Sequence, residues 1–123
     1  MKKILGIDYG RSKIGLAIAE GPLSEPLKVI RVKSFDDAIQ KVKKEVETES
    51  PDKIVVGISE GAMGEESKKF AEKINAETFD ETLTSLDAQT LAREAGIGQK
   101  KRREMEDAYA ASIMLQNYLD NQK

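Results

Sequence analysis

The sequence predicts one α/β domain over residues 1–123, built on a mixed five-stranded sheet in which an antiparallel meander is followed by parallel strands, flanked by helices. Three observations lead there. Three β-type segments near the N-terminus are joined by connections too short to hold a helix. Apolar residues then recur at helical spacing between β-branched runs, the pattern of βαβ crossovers. The 39% of apolar side chains in 123 residues is enough for one core and not for two domains.

The elements follow in order. Ile4 to Asp8 and Ile14 to Ala19 read as strands joined by the turn Tyr9-Gly10-Arg11-Ser12-Lys13. Leu27 to Val32 alternates apolar residues with charges and makes the third strand, with Pro22 and Pro26 as punctuation before it. Ser34 is placed to cap a helix whose Phe35, Ala38, Ile39, Val42 and Val46 form one buried face, with Asp36 and Asp37 in its first turn. Pro51 ends that segment. Lys53 to Ile58 is a β-branched run typical of a strand buried on both faces. A second helix is expected over Glu65 to Asn75, with Phe70, Ala71 and Ile74 inward, and a short strand at Glu77 to Phe79. A short helix over Leu86 to Ala95, capped by Ser85 and stopped by Gly96, leads through the loop Gly96 to Gln99 into a final helix from Arg103 to Asp120. Met105, Ala108, Tyr109, Leu115 and Leu119 are its expected inner face.

Composition narrows the chemistry. The chain has no His, Cys or Trp. A Ser-His-Asp triad, a Cys-His dyad, a histidine general base and a Cys/His zinc cage are therefore excluded, as is a disulfide scaffold. Catalysis is left to carboxylates, Lys, Tyr, hydroxyls, backbone amides or a hard cation held by oxygen. The apolar run at the N-terminus stops at Asp8, too short for a signal peptide, and no stretch approaches a membrane span. A cytoplasmic protein without a membrane partner is the expectation. The formal charge of −2 argues against a purely electrostatic nucleic-acid binder.

In parallel sheets ligands gather at the carboxyl ends of the strands. Each such end here carries an acid: Asp8 after the first strand, Glu60 after the fourth, and Asp80-Glu81 after the fifth. Asp107 lies near the start of the final helix, beside Ala108, Ala110 and Ala111, whose small size allows that helix close to the sheet. Some of the 22 acids will lie near strand ends by chance. A charge that ends the apolar run Ile4-Leu5-Gly6-Ile7 is different, because it is costly there without a partner. Carboxylates converging in a cleft repel one another unless cations intervene, and such ligands suit Mg²⁺ or Mn²⁺. Two such ions about 4 Å apart can activate water and stabilise the leaving oxygen of a phosphodiester.

Two further features accompany the acids. Asp8-Tyr-Gly-Arg-Ser-Lys-Ile-Gly15 has the form of a phosphate-binding hairpin, in which Gly10 and Gly15 allow backbone close to a ligand. The run Lys100-Lys101-Arg102-Arg103, with Arg11 in the hairpin, supplies cations for a phosphate backbone. Thr82, Thr84 and Ser85 follow the paired acids and can orient them or cap the next helix.

Taken together, Leu5-Gly-Ile-Asp-Tyr-Gly-Arg-Ser-Lys-Ile-Gly-Leu-Ala17, Ile54-Val-Val-Gly-Ile58, Asp80-Glu-Thr-Leu-Thr-Ser85, Glu106-Asp-Ala-Tyr-Ala-Ala111 and Leu115-Gln-Asn-Tyr-Leu-Asp120 resemble the YqgF-type family of pre-16S rRNA nucleases, also called Holliday junction resolvase-like proteins. The resemblance spans nearly the whole chain. It implies an RNase H-like fold and a metal-dependent endonuclease that hydrolyses phosphodiester bonds in structured RNA, maturing the 5′ end of pre-16S rRNA during ribosome biogenesis. Asp8, Glu81 and Asp107 become the expected catalytic and metal-binding acids, with Glu60 an additional candidate ligand. The expected partners are pre-16S rRNA and ribosomal precursor particles, for a protein acting as monomer or weak homodimer. Two positions depart from the family pattern: Thr82 stands where an Arg is usual, and Ser59-Glu60-Gly61-Ala62-Met63-Gly64 replaces a loop that usually begins with Pro and carries Asn. The alternatives are a nuclease of branched DNA and a catalytically silent RNA-binding assembly module.

Overall fold

A computed structural model describes residues 2–58, 61–80 and 99–121, with the backbone alone over 99–104. In chain order the elements are β1 (Ile4–Asp8), β2 (Lys13–Ala19), β3 (Ser24–Arg31), α1 (Phe35–Glu49), β4 (Lys53–Ile58), α2 (Ala62–Lys73), β5 (Glu77–Asp80) and α3 (Gln99–Asp120). The strands form one sheet in the order β3-β2-β1-β4-β5. β2 runs antiparallel to β1 and β3, whereas β4 runs parallel to β1 and β5. The meander and the crossovers are those the patterning predicts. Their consequence is that the carboxyl ends of β1, β4 and β5 share one edge.

Alternation along the strands sorts the two faces. Leu5, Ile7, Ile14, Leu16 and Val56 are buried against Ala38 and Val42 of α1 and Phe70 and Ala71 of α2. The opposite face is made of small residues. Ala17, Ala19 and Val55 meet Ala111, Met114, Leu115 and Tyr118 of α3, and Gly6 and Gly15 on that face take close contacts. A Cβ on Gly6 would lie 3.0 Å from the Leu115 Cβ, and one on Gly15 would overlap the main-chain carbonyl of Asp107. A face built of small residues lets α3 lie against the sheet backbone itself.

The far end of α3 is fixed by polar contacts. The Tyr118 hydroxyl donates to Glu77 of β5 and accepts from the Lys53 ammonium of β4 at 3.1 Å. Midway along the helix, the Ser24 hydroxyl donates to the Ser112 carbonyl at 2.6 Å, and Gln116 accepts from the Ser24 amide at 2.9 Å. These contacts tie α3 to both margins of the sheet.

Several boundaries differ from the sequence reading, each for a physical reason. β3 starts at Ser24 rather than Leu27 and includes Pro26, because an edge strand with a register shift at Leu16/Ala17 tolerates a residue without an amide hydrogen. α2 starts at Ala62, capped by Gly61 at φ 84° without a side-chain bond, so a search for polar caps places its start too late. It ends at Lys73, and Asn75 adopts φ 61° beyond it. α3 begins at Gln99, four residues before the expected start, so the expected loop at 96–99 ends inside the helix. Its inner face is wider than the expected stripe. Ala108 and Leu115 are buried as expected, but so are Ala111, Ile113, Met114 and Tyr118, while Met105, Tyr109 and Leu119 are half-buried. The predicted helix over Leu86 to Ala95 lies outside the described residues. Among those described, no helix is long and apolar enough to cross a membrane.

The cap on α1 agrees with the sequence in detail. The Ser34 side chain accepts from the Asp37 amide at 3.0 Å, and the Asp37 carboxylate accepts from the Lys33 amide at 2.9 Å. That backbone bond, followed by contacts with Lys41, holds the Asp37 carboxyl below its ordinary range. A depressed pKa stabilises the fold above the unfolded value and loses that contribution as pH falls through the folded one. Asp37→Asn is therefore expected to lower the melting temperature near pH 7. The gap to wild type should narrow as the pH falls below the ordinary carboxylate range, and close once it has passed the lowered folded value and the wild-type side chain is protonated in both states.

The glycine contacts give a second expectation. Gly15→Ala forces backbone apart and should destabilise by about 3 kcal/mol, the upper part of the overpacking range. Gly6→Ala meets only the movable Leu115 side chain and should cost about 1 kcal/mol. Urea unfolding of the two variants checks the order, and equal losses would contradict the close seat of α3 at Gly15.

Candidate active site at the carboxyl edge of the sheet

Asp8 closes β1 and is half-buried. Alternation puts it on the α3 face with Ile4 and Gly6, and its register partner on β2 is Gly15. Directly opposed residues in an antiparallel ladder have Cα atoms about 4.5–5.5 Å apart. Because α3 rests its Asp107 carbonyl on Gly15, the helix brings Asp107, also half-buried, beside Asp8. Asp8 and Asp107 are separated by most of the chain, and one backbone contact makes them neighbours.

The other predicted acids divide differently. On β5, Glu77 and Phe79 face α3, where Glu77 bonds Tyr118 and Phe79 stacks edge-on against the same ring at 5.7 Å. Asp80 belongs to the opposite series. With Thr78 it lines an open depression of about 370 Å³, whose other wall is Gly61, Glu65 and Lys68 at the start of α2. Glu60 and Glu81 lie outside the described residues, as does Thr82. Among the described residues, no three Asp or Glu side chains gather into a metal-holding group. Asp8 and Asp107 each carry hard oxygen donors of the kind that suit Mg²⁺ or Mn²⁺.

The hairpin after Asp8 is held from the other side. The Tyr9 ring packs on Phe70 at 4.8 Å and on Phe35 at 6.2 Å, and its hydroxyl donates to Glu66 of α2 at 2.7 Å. Burial, then the bond to Glu66, raises the Tyr9 hydroxyl above its ordinary pKa. The same bond, with help from Arg11, lowers that of Glu66. Arg11 lies 3.3 Å from both carboxylate oxygens of Glu66. The guanidinium predicted to hold a phosphate is thus exposed but tied to α2. Glu66 gave no sign of this in the sequence, because it stands 55 residues from Arg11 on a helix face shared with many other charges. Nor does Gly15 admit a ligand, as the hairpin motif suggests, since helix backbone fills that space. A Cβ on Gly10 would overlap the Lys13 carbonyl, so this glycine serves the tightness of the turn.

Lys100, Lys101, Arg102 and Arg103 lie in the first turns of α3, ahead of Asp107 on the same helix. Lys100, Lys101 and Arg102, which the sequence reading leaves ahead of the helix, are part of it. It is carried by the element that brings Asp107 to Asp8.

Comparison with known proteins agrees with this architecture. The family described as RuvX: Holliday junction resolvase matches residues 2–121. A protein of Caldanaerobacter subterraneus named "Putative pre-16S rRNA nuclease" is 35% identical over 136 residues, covering 98% of each chain. One of the same name from Syntrophus aciditrophicus is 33% identical over 132 residues, covering 96% of this chain and 88% of its own. Among solved structures, T. thermophilus RuvC in complex with a Holliday junction substrate superposes with a TM-score of 0.63 at 14% identity, covering 98% of this chain and 96% of that one. The Fowlpox virus resolvase, bound to Holliday junction DNA, gives 0.59 at 12% identity and covers 97% of both chains. Those likenesses establish the RNase H-like fold that the sequence motifs imply. With its acids on the carboxyl edge of that fold and its family match running almost end to end, the chain belongs to the RuvX family, the YqgF-type group to which the motifs point.

Proposed function

We propose that the chain is a divalent-metal-dependent endonuclease that hydrolyses phosphodiester bonds in structured RNA and matures the 5′ end of pre-16S rRNA. The observation that carries this reading is the placement of Asp107 beside Asp8 by the seat of α3 on Gly15. The names of the relatives, pre-16S rRNA nucleases over nearly their whole length, support the substrate.

Asp8 and Asp107 would hold Mg²⁺ or Mn²⁺, and Glu81 completes the set. Glu77 and Phe79 face α3 whereas Asp80 does not. Glu81 enters the set through the family motif Asp80-Glu-Thr-Leu-Thr-Ser85. Glu60 is an additional ligand in the same proposal. When bound, the cation polarises the phosphate and activates a water for attack. Three carboxylates gathered in this way would repel one another unless a cation lay between them. α3 fixes one of them rigidly against the sheet. The basic run 100–103 and Arg11 supply charge for the substrate backbone without reading its sequence. A cytoplasmic location follows from that substrate.

The family description favours a second reading, a branched-DNA substrate. Incubating a precursor 16S rRNA fragment and a four-way DNA junction with the protein and Mg²⁺ or Mn²⁺ separates the two. RNA cleavage is expected, and cleavage of the junction alone would replace the first reading with the second. Asp8→Asn, Asp107→Asn and Glu81→Gln should each lower the rate by roughly 100-fold or more while substrate binding persists, since even outer contacts of a metal site are worth 10- to 100-fold. Cleavage that survives Asp8→Asn would refute the site, and binding without any cleavage by the wild type would leave an RNA-binding assembly module.

A further inference from the structure

Lys13 opens β2 and Arg31 closes β3, and the two are register partners directly opposite each other. Their neighbours Ile14 and Ile30 pack into the core beneath α1 and α2. Alternation therefore sends Lys13 and Arg31 to the other face, the one that carries Asp8 and receives α3. Both are exposed. Three other cations of these strands and α1 are neutralised: Lys28 pairs with Glu45 at 3.0 Å, Lys41 with Asp37 at 3.3 Å and Arg11, in the hairpin, with Glu66 at 3.3 Å. Among the described residues, neither Lys13 nor Arg31 has an ion-pair partner.

Like charges directly opposite across a ladder destabilise it. This pair carries that cost at the sheet edge where the proposed chemistry occurs. Asp8 pairs with Gly15, so Lys13, two residues away on β2, is its diagonal neighbour, with Cα atoms about 7–8 Å apart. A paired anion removes the repulsion, and the combination of a planar guanidinium fork with an ammonium suits phosphate oxygens. We propose that Lys13 and Arg31 form a phosphate clamp that holds the nucleic-acid backbone on the Asp8 side of the sheet, one step from the bond to be cut. This rests on the nuclease reading for the identity of the phosphate. It moves the main backbone contact away from Arg11, whose charge Glu66 already occupies.

The test uses the full chain and Lys13→Gln/Arg31→Gln, with Lys13→Arg and Arg11→Gln for comparison. Binding of a structured precursor RNA is measured in EDTA, so that nothing is cut, over a range of salt concentrations. Separately, inorganic tripolyphosphate is titrated while the melting temperature is followed. Each phosphate contact contributes roughly 0.7–0.9 to the slope of log affinity against log salt. The double variant should therefore lose about 1 to 2 from that slope, lose the stabilisation by tripolyphosphate and, with no anion present, melt no lower than wild type. Lys13→Arg should retain both effects, and Arg11→Gln should change the slope by less than the double variant does. An unchanged slope and an unchanged tripolyphosphate response in the double variant would overturn the clamp. If wild type binds no RNA but its tripolyphosphate stabilisation disappears in the double variant, the clamp stands and the nuclease reading falls. If wild type responds to neither probe, both fall.

Discussion

The contact of α3 with the sheet at Gly15 is the constraint on which the arrangement depends. A helix normally stands off a sheet by the thickness of two side-chain layers, but here the Asp107 carbonyl rests where a Cβ would be. Gly6, Ala17 and Ala19 extend the same small-residue track. The apolar gain on this face is modest, because small side chains bury little area. What the chain obtains instead is position. The helix that carries an acid near one end of the sequence is seated against the register partner of an acid near the other. Polar ties at Ser112, Gln116 and Tyr118 prevent the helix from sliding along the track.

The two faces of the sheet have distinct roles. Large aliphatic and aromatic side chains fill the α1–α2 face, which supplies most of the core. That core also reaches the active edge, since Tyr9, one residue beyond Asp8, packs on Phe70 and bonds Glu66. The strand end is consequently held from both directions: the residue after Asp8 is anchored in the main core, and Asp8 itself faces the helix that carries its partner. The Asp8 carboxylate sits at the boundary between the core and solvent, half-buried and so not fully desolvated.

Much of this was legible in the sequence. The short apolar runs at Ile4–Asp8 and Lys53–Ile58 and the 3.6-period stripe from Phe35 to Val46 each define an element, and Ser34 marks a start that the structure reproduces. The absence of His and Cys left carboxylates among the few groups able to carry chemistry. Legibility failed where long-range geometry decides. Gly15 looked like a residue making room for a ligand, and nothing local says that the occupant is a helix some ninety positions on. Gly61 hid the start of α2, because a glycine cap relies on backbone freedom rather than on a hydroxyl that a motif search can find. The facing charges of Lys13 and Arg31 depend on a strand register, and their separation in the chain gives no hint of it.

Pro26 has a consequence beyond the boundary of its strand. β3 is the margin of the sheet, and a sheet margin is a template for further strands from other molecules. The proline deletes one donor from that margin, and the register shift opposite it breaks the even spacing of the rest. A strand from a second molecule laid alongside β3 would meet a ladder with a missing rung. The side of the sheet farthest from β5 is thereby made a poor template for backbone pairing with a second molecule.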